Sequence, residues 1–278
     1  MITPGLYVTH LLVPKHGSTM GECEDAVCVL PATPFDELIE DAVAVSVCDG
    51  ATESMLSKDW AQLLAALSAQ RALDDPGFFD SGPVFETFAA EAVNAWEPWL
   101  TEYTARRASD GRPLQWYEHK KLEEGSALAT LLSVRLTPAA PVEQEFDWNW
   151  QAAALGDTCL FHIRDDLPIR SFPVQHADEF GTTPNLFGSR NFDAALLSAR
   201  TMFAAGGCRA GDRLLLMSDA LAHWFLTSKD PVSALYELLE FGGPHDTPGF
   251  EDWIESLRAR GELKNDDVAL IRIDVEGR

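Results

Sequence analysis

The sequence predicts an α+β fold built on antiparallel sheets, on three observations. Strand-like and helix-like patterns come in blocks, not in strict alternation, which favours separate layers over a doubly wound parallel sheet. The first fifty residues read strand, turn, strand, turn, strand, without the helix that a parallel crossover needs. The chain has 278 residues, 46% of them hydrophobic, enough for a sizeable core. With no internal repeat, low-complexity tract or linker to divide it, residues 1–278 read as one domain.

Residues 6–13 (LYVTHLLV) form the first expected strand, ended by Pro14-Lys15-His16-Gly17. Glu24-Asp25 leads into a second at 26–30, and 31–41 is a loop with at most one helical turn. The central stretch is 42–54, AVAVSVCDGATES. Val43, Val45 and Val47 mark a buried strand that stops at Asp49-Gly50. Residues 54–73 carry Trp60, Leu63, Leu64 and Leu67 at helical spacing, and 74–83 has loop composition. From Val84 a helix sets Phe85, Phe88, Ala92, Trp96, Trp99 and Tyr103 on one stripe, interrupted by Pro98. Such a stripe reads as core packing.

Residues 106–112 are a polar break, and 116–124 a mixed charged approach to Gly125-Ser126. Strands return at 127–136, 147–155 and 158–164, the last two joined by a tight Gly156-Asp157 hairpin. Residues 165–190 read as loop, 192–205 as helix, and 213–217 (RLLLM) as a short strand closed by Ser218-Asp219. Helices at 220–227, 231–240 and 250–260 precede a last strand at 268–275, entered through Lys264-Asn265-Asp266-Asp267.

Composition excludes several function classes. A net charge of −23, from 44 acidic and 21 basic residues, argues against a nucleic-acid surface, which needs Lys and Arg to neutralise phosphates. No apolar run is long enough to span a bilayer, and the N-terminus lacks the pattern of a secretory signal. Five cysteines with no Cys-x-x-Cys pair fit neither a disulfide framework nor a zinc knuckle, so a reducing cytoplasm is expected. Cys23, Cys28, Cys48, Cys159 and Cys208 lie mostly in or beside strands and read as small buried hydrophobes. The histidines show no paired zinc spacing and read as packed or solvated residues.

Acids recur at strand ends: Glu24-Asp25 before one strand, Asp49 after another, Asp219 after a third, and Asp266 before the last. Isolated acids there are routine turn and cap residues. If the four sites converge at one end of a sheet sandwich, they offer the oxygen ligands that hard cations such as Mg²⁺ and Mn²⁺ take. Spacing alone leaves the convergence open.

The order of short motifs is more specific. Glu24-Asp25-Ala26, Val47-Cys48-Asp49-Gly50, Gly125-Ser126-Ala127, Ala154-Leu155-Gly156-Asp157-Thr158, Leu215-Leu216-Met217-Ser218-Asp219 and Asp266-Asp267-Val268-Ala269 follow one another along the chain. This series, from about Tyr7 to Val275, resembles the type 2C (PPM) metal-dependent Ser/Thr protein phosphatases, especially compact bacterial members. The resemblance implies a four-layer αββα sandwich, two antiparallel sheets flanked by helices, with two Mg²⁺ or Mn²⁺ ions at one edge. It implies that Asp49 bridges both ions, that the Gly50 carbonyl binds one, and that Asp219 and Asp266 complete the second. Asp25, with Glu24 beside it, would hold water on the ions, making Asp25 and Asp49 the catalytic pair. Glu123 or Glu124 falls where the family supplies a ligand to a third, weaker ion, and Asp157 reads as structural. Two ions about 3.5–4 Å apart acidify a water for in-line attack on phosphorus, with no covalent phosphoenzyme.

The chain departs from the family among the substrate-handling residues. The place of the phosphate-binding Arg holds Met20, and the nearest cations are Lys15 and His16. Lys15 can bind phosphate as a point charge but lacks Arg's bidentate fork. Ala51-Thr52-Glu53 follows Asp49-Gly50, and Ala220 and Ala127 stand where the family has Gly and Thr. The leading expectation is hydrolysis of phosphoserine or phosphothreonine on a protein, opposing a partner Ser/Thr kinase. A phosphatase-like binding or regulatory module with weak or lost turnover, and a hydrolase of small phosphoesters, are the alternatives.

Overall fold

The computed structural model describes residues 4–80, 82–140, 145–181 and 184–277; the side chain of Glu124 also lies outside the described part. The chain begins with β1 (Gly5–Val13), β2 (Ala26–Leu30) and β3 (Val43–Cys48), followed by α1 (Ser57–Asp74) and α2 (Pro83–Ser109). Next come α3 (Trp116–Glu124), β4 (Leu128–Ala129), β5 (Leu131–Pro138), β6 (Trp148–Leu155), β7 (Cys159–Arg164), β8 (Leu167–Phe172) and β9 (Phe187–Gly188). The last part runs α4 (Ala194–Arg200), β10 (Met202–Cys208), β11 (Arg213–Met217), α5 (Asp219–Thr227), α6 (Pro231–Leu239), α7 (Thr247–Ala259) and β12 (Val268–Glu276).

Two five-stranded sheets result, ordered β10-β6-β5-β3-β2 and β1-β12-β11-β7-β8, and every pairing is antiparallel. The alternation of β3 explains the layering. Val43, Val45 and Val47 point into the space between the sheets, where they join Leu6, Leu214, Leu216, Ala269, Ile271 and Ile273 of the second sheet. Ala44 and Cys48 point the other way, onto Trp60, Leu64 and Phe85 of α1 and α2. On the far side, Phe161, Leu215, Met217 and Leu270 pack against Leu221, Phe225, Leu235, Phe250 and Ile254 of α5, α6 and α7. The architecture is therefore α, β, β, α, as the resemblance implied, with sheet faces interdigitating as in other sandwiches.

The aromatic stripe of α2 is core: Phe85, Phe88, Ala92 and Trp96 are buried. Pro98 stands inside the helix without ending it, and Trp99 stacks between Trp96 and Tyr103 at 4.7 and 5.2 Å. The expected break at 106–112 begins only after Ser109.

Six expectations are corrected. Residues 116–124 are helical, and the 74–83 loop contains a 3₁₀ turn at Pro76–Phe79. The strand expected at 127–136 divides into β4 and β5, β4 leaving the main sheet to pair with β9. Within 165–190 lies β8, whose first four residues are exposed because it is the outer strand of its sheet. The helix expected at 192–205 ends at Arg200, and 202–208 is strand β10. Its Gly206 and Gly207 make room for the rings of Trp150 and Phe146, which a Cβ would meet at 2.7 and 2.2 Å. Finally, Gly156-Asp157 is not a hairpin. β6 belongs to one sheet and β7 to the other, so Gly156, at φ 111°, carries the chain across the gap between them.

Candidate metal centre

Strand register brings the acids together. Ala26 pairs with Cys48, so Asp25 and Asp49, one residue beyond on each strand, lie opposite at one end of the first sheet. In the second sheet Met217 pairs with Leu270, and the Ser218 N–H donates to the Ala269 carbonyl at 3.2 Å. Asp219 and Asp266 thus share the end of β11 and β12. The two sheet ends face each other closely enough that Asp25 and Asp49 each feel the charges of Asp219 and Asp266. Four of the expected acids, two from each sheet, thus lie at the same end of the sandwich within electrostatic reach of one another.

The backbone around them is tightly fixed. Thr130 accepts the Asp49 N–H on its hydroxyl at 2.9 Å and donates its own N–H to the Asp49 carbonyl at 2.8 Å. The hydroxyls of Thr130 and Thr158 lie 2.7 Å apart, tying this point to the crossing at Gly156. Gly50 donates to the Glu24 carbonyl, and a Cβ on it would come within 2.8 Å of that oxygen and 2.9 Å of the Ser57 carbonyl carbon. Only glycine lets these backbones approach so closely. Asp267 accepts the Lys15 N–H at 2.6 Å and the Glu24 N–H at 2.8 Å, pinning the loop before β2 to the start of β12. Thr130 and the clamping role of Asp267 are not foreseen from the residues alone; their signals are a lone threonine in an apolar run and a second acid beside Asp266.

Electrostatics separates the acids. Asp25 is only 3% exposed, and neither carboxylate oxygen has a hydrogen-bond donor; Asp219 Oδ1 is likewise buried and unpartnered. Burial pushes Asp25 well above the usual carboxylate range; the Ser218 hydroxyl, not close enough for a full hydrogen bond, pulls the other way but is outweighed, and Asp267, Asp219 and Asp266 push it further up. Asp49 is raised in the same way, by burial and then by Asp25, Asp219 and Asp266. Burial and Asp219 raise Asp157 to about 6, which places this residue beside the cluster. Buried carboxylates without donors are costly, and a bound cation relieves that cost. An all-oxygen donor set of this kind suits Mg²⁺ or Mn²⁺ better than softer metals.

Glu24 behaves differently, because its oxygens are engaged. Ser57 donates to Oε1 at 2.5 Å, while Thr52 and Lys15 Nζ donate to Oε2 at 2.6 and 2.8 Å. Burial opposes its ionisation, yet Lys15, Ser57 and Thr52 outweigh burial and hold it below the ordinary value. Lys15, the expected phosphate ligand, therefore stands at the site in an ion pair with Glu24. Lys264 Nζ reaches Asp219 and Asp266; burial would lower its pKa, but these acids raise it. Met20 is half exposed, and His16 contacts Glu255. Arg258 donates to the Pro14 and Asp266 carbonyls at 3.0 and 2.5 Å and serves the scaffold.

Glu123 is exposed on α3 and lines a cavity of about 460 Å³ with Glu97, His119 and Arg190. Among the described residues no interaction ties Glu123 to the four aspartates; the Glu124 side chain lies outside them. A second cavity, about 550 Å³, opens beside Thr52 and is lined by Glu53, Met55, Lys121 and Ser126. The cysteines are not poised as nucleophiles, since burial pushes the Cys23 thiol up to about 12 and raises Cys48, Cys159 and Cys208 as well. No helix among the described residues is long and apolar enough to cross a membrane.

The fold is that of the PP2C-type phosphatases. The chain is similar to the photosystem II phosphatase PBCP, with a TM-score of 0.57 at 15% identity, covering 99% of this chain and 100% of that one. It is similar to a bacterial serine phosphatase, with a TM-score of 0.54 at 15% identity, covering 98% and 99%. A third similar structure holds the PP2C phosphatase domain and a regulatory-domain fragment of the cell fate determinant SpoIIE from Bacillus subtilis. Its TM-score is 0.51 at 13% identity, covering 100% of this chain and 66% of that one. By sequence, the chain matches no family model and no curated protein.

Proposed function

We propose that the chain is one PP2C-type domain that hydrolyses phosphoserine or phosphothreonine on protein substrates and opposes a Ser/Thr kinase. The observation that carries this reading is Asp25, buried with both oxygens unpartnered and within electrostatic reach of Asp219, Asp266 and Asp267 from the other sheet. Mg²⁺ or Mn²⁺ bound as a pair would supply Lewis-acid activation of water and neutralise the phosphoryl oxygens. Asp49 and the Gly50 carbonyl would hold one ion, and Asp49, Asp219 and Asp266 the other. Asp25 would accept a hydrogen bond from the attacking water, take up one of its protons and orient it toward phosphorus. Glu24, already saturated by Ser57, Thr52 and Lys15, keeps the Asp25 backbone in place and positions the Lys15 ammonium. Two of the three ammonium donors of Lys15 are used, which leaves one for a substrate phosphate oxygen. The cavity beside Thr52 would receive the residues flanking the phosphorylated side chain.

Manganese-dependent hydrolysis of p-nitrophenyl phosphate, lost in Asp49→Asn, tests the reading, and comparison of phosphopeptides with small esters tests the substrate class. A binding module with little turnover is the second reading. It is favoured by Met20 standing at the place of the family's arginine, with Arg258 and Lys58 both donating to backbone carbonyls and Lys15 left as a single ammonium. Phosphopeptide binding by the manganese-loaded protein without hydrolysis would decide for the module.

A further inference from the structure

Lys264 is the one cation that the described residues set directly between two of the four aspartates. Its Nζ lies 3.3 Å from Asp219 Oδ2 and 2.8 Å from Asp266 Oδ2. The ammonium thus sits where a cation shared by these carboxylates belongs. It leaves the ring under-satisfied, since Asp219 Oδ1 and both oxygens of Asp25 still lack donors. One ammonium brings a single charge, whereas a divalent ion brings two and gathers several oxygens at once.

The surroundings let the side chain leave without disturbing the backbone. The Lys264 side chain is 63% exposed on a flexible stem. Residues next to it are held independently: Asn265 Oδ1 accepts the His16 N–H at 2.7 Å, and Asp267 clamps Lys15 and Glu24. We propose that Lys264 is a tethered counter-cation that occupies the Asp219–Asp266 position until a divalent ion displaces it, and so weakens binding there. This rests on the metal-dependent reading given above. The position served by Asp25, Asp49 and Gly50 has no such competitor among the described residues.

Calorimetric titration of Mn²⁺ into the metal-free full chain tests the proposal. Lys264→Met keeps the stem and deletes the charge; it should tighten the weaker binding step about tenfold or more and leave the stronger one within about twofold. Lys264→Arg keeps the charge and should stay near wild type. Thermal melting gives a second readout: metal-free Lys264→Met should melt below wild type, and saturating Mn²⁺ should close the gap. Equal affinities in wild type and Lys264→Met overturn the tethered-cation role and leave the metal reading standing. No manganese binding by either protein overturns both.

Discussion

The Asp267 carboxylate accepts the backbone N–H of Glu24 at 2.8 Å, a contact between residues 243 apart in sequence. Its other oxygen takes the Lys15 N–H, so one buried side chain fixes both flanks of the loop that delivers Asp25. Two charge-assisted bonds to backbone N–H groups make this a strong local tie at the site. Asp267→Ala is expected to cost about 2–4 kcal/mol in urea denaturation, and Asp267→Asn, which keeps one acceptor, less. A loss below about 0.5 kcal/mol would show that water replaces the carboxylate without penalty.

Gly50 offers a second test, of packing. The Cβ of an alanine there would press on the Glu24 carbonyl at 2.8 Å and on the Ser57 backbone at 2.9 Å, and neither is a flexible side chain that can swing away. Gly50→Ala should lose about 1–3 kcal/mol of stability, as overpacked sites do. Because the Gly50 and Glu24 backbones must separate, its Mn²⁺ affinity should fall as well. Denaturation and calorimetric titration of the same preparation check both; wild-type behaviour in each would refute the close approach.

Far from the acids, His162 sets a pH dependence. It is buried against Trp150, with Nε2 2.9 Å from Asp212 Oδ2; Arg164 and the Arg209 N–H also bind Asp212, and Arg170 and Cys208 lie nearby. Burial lowers the His162 pKa below 6.5, outweighing the pull of Asp212. The unfolded chain therefore takes up a proton that the folded protein refuses, and this part of the stability is present above pH 6.5 and lost as pH falls below it. Wild type should lose up to about 1.4 kcal/mol per pH unit from this group between pH 6.5 and the folded pKa. His162→Gln should flatten that slope; an unchanged slope in melting curves would assign it to other groups.

Much of this arrangement could be read from residues alone. The β-branched run 43–47 ending at Asp49-Gly50, and RLLLM ending at Ser218-Asp219, announce strands whose ends carry acids. What stayed hidden depends on partners distant in sequence. Leu167–Phe172 shows no buried alternation because an outer strand exposes most of its residues. Residues 202–205, the first part of MFAAGGC, read as the end of a helix until Trp150 and Phe146 are seen covering the glycines that follow. Gly156-Asp157 has the chemistry of a hairpin, and only the sheet order shows that it leads elsewhere. Asp267 and Lys264 flank Asp266 in plain sight, but their partners lie some 250 and 45 residues away.

The origin of the four aspartates has one further consequence. Each sheet contributes two of the acids that would form a cage for the proposed ions, and neither pair is complete by itself. A core substitution that slides one sheet along the other, such as a bulkier side chain at Val45 or Ile271, would spread the cage without altering any acid. On the metal-dependent reading proposed above, ion affinity would act as a ruler for the alignment of the two sheets, and variants deep in the hydrophobic interior could be ranked by titrating Mn²⁺ at the rim.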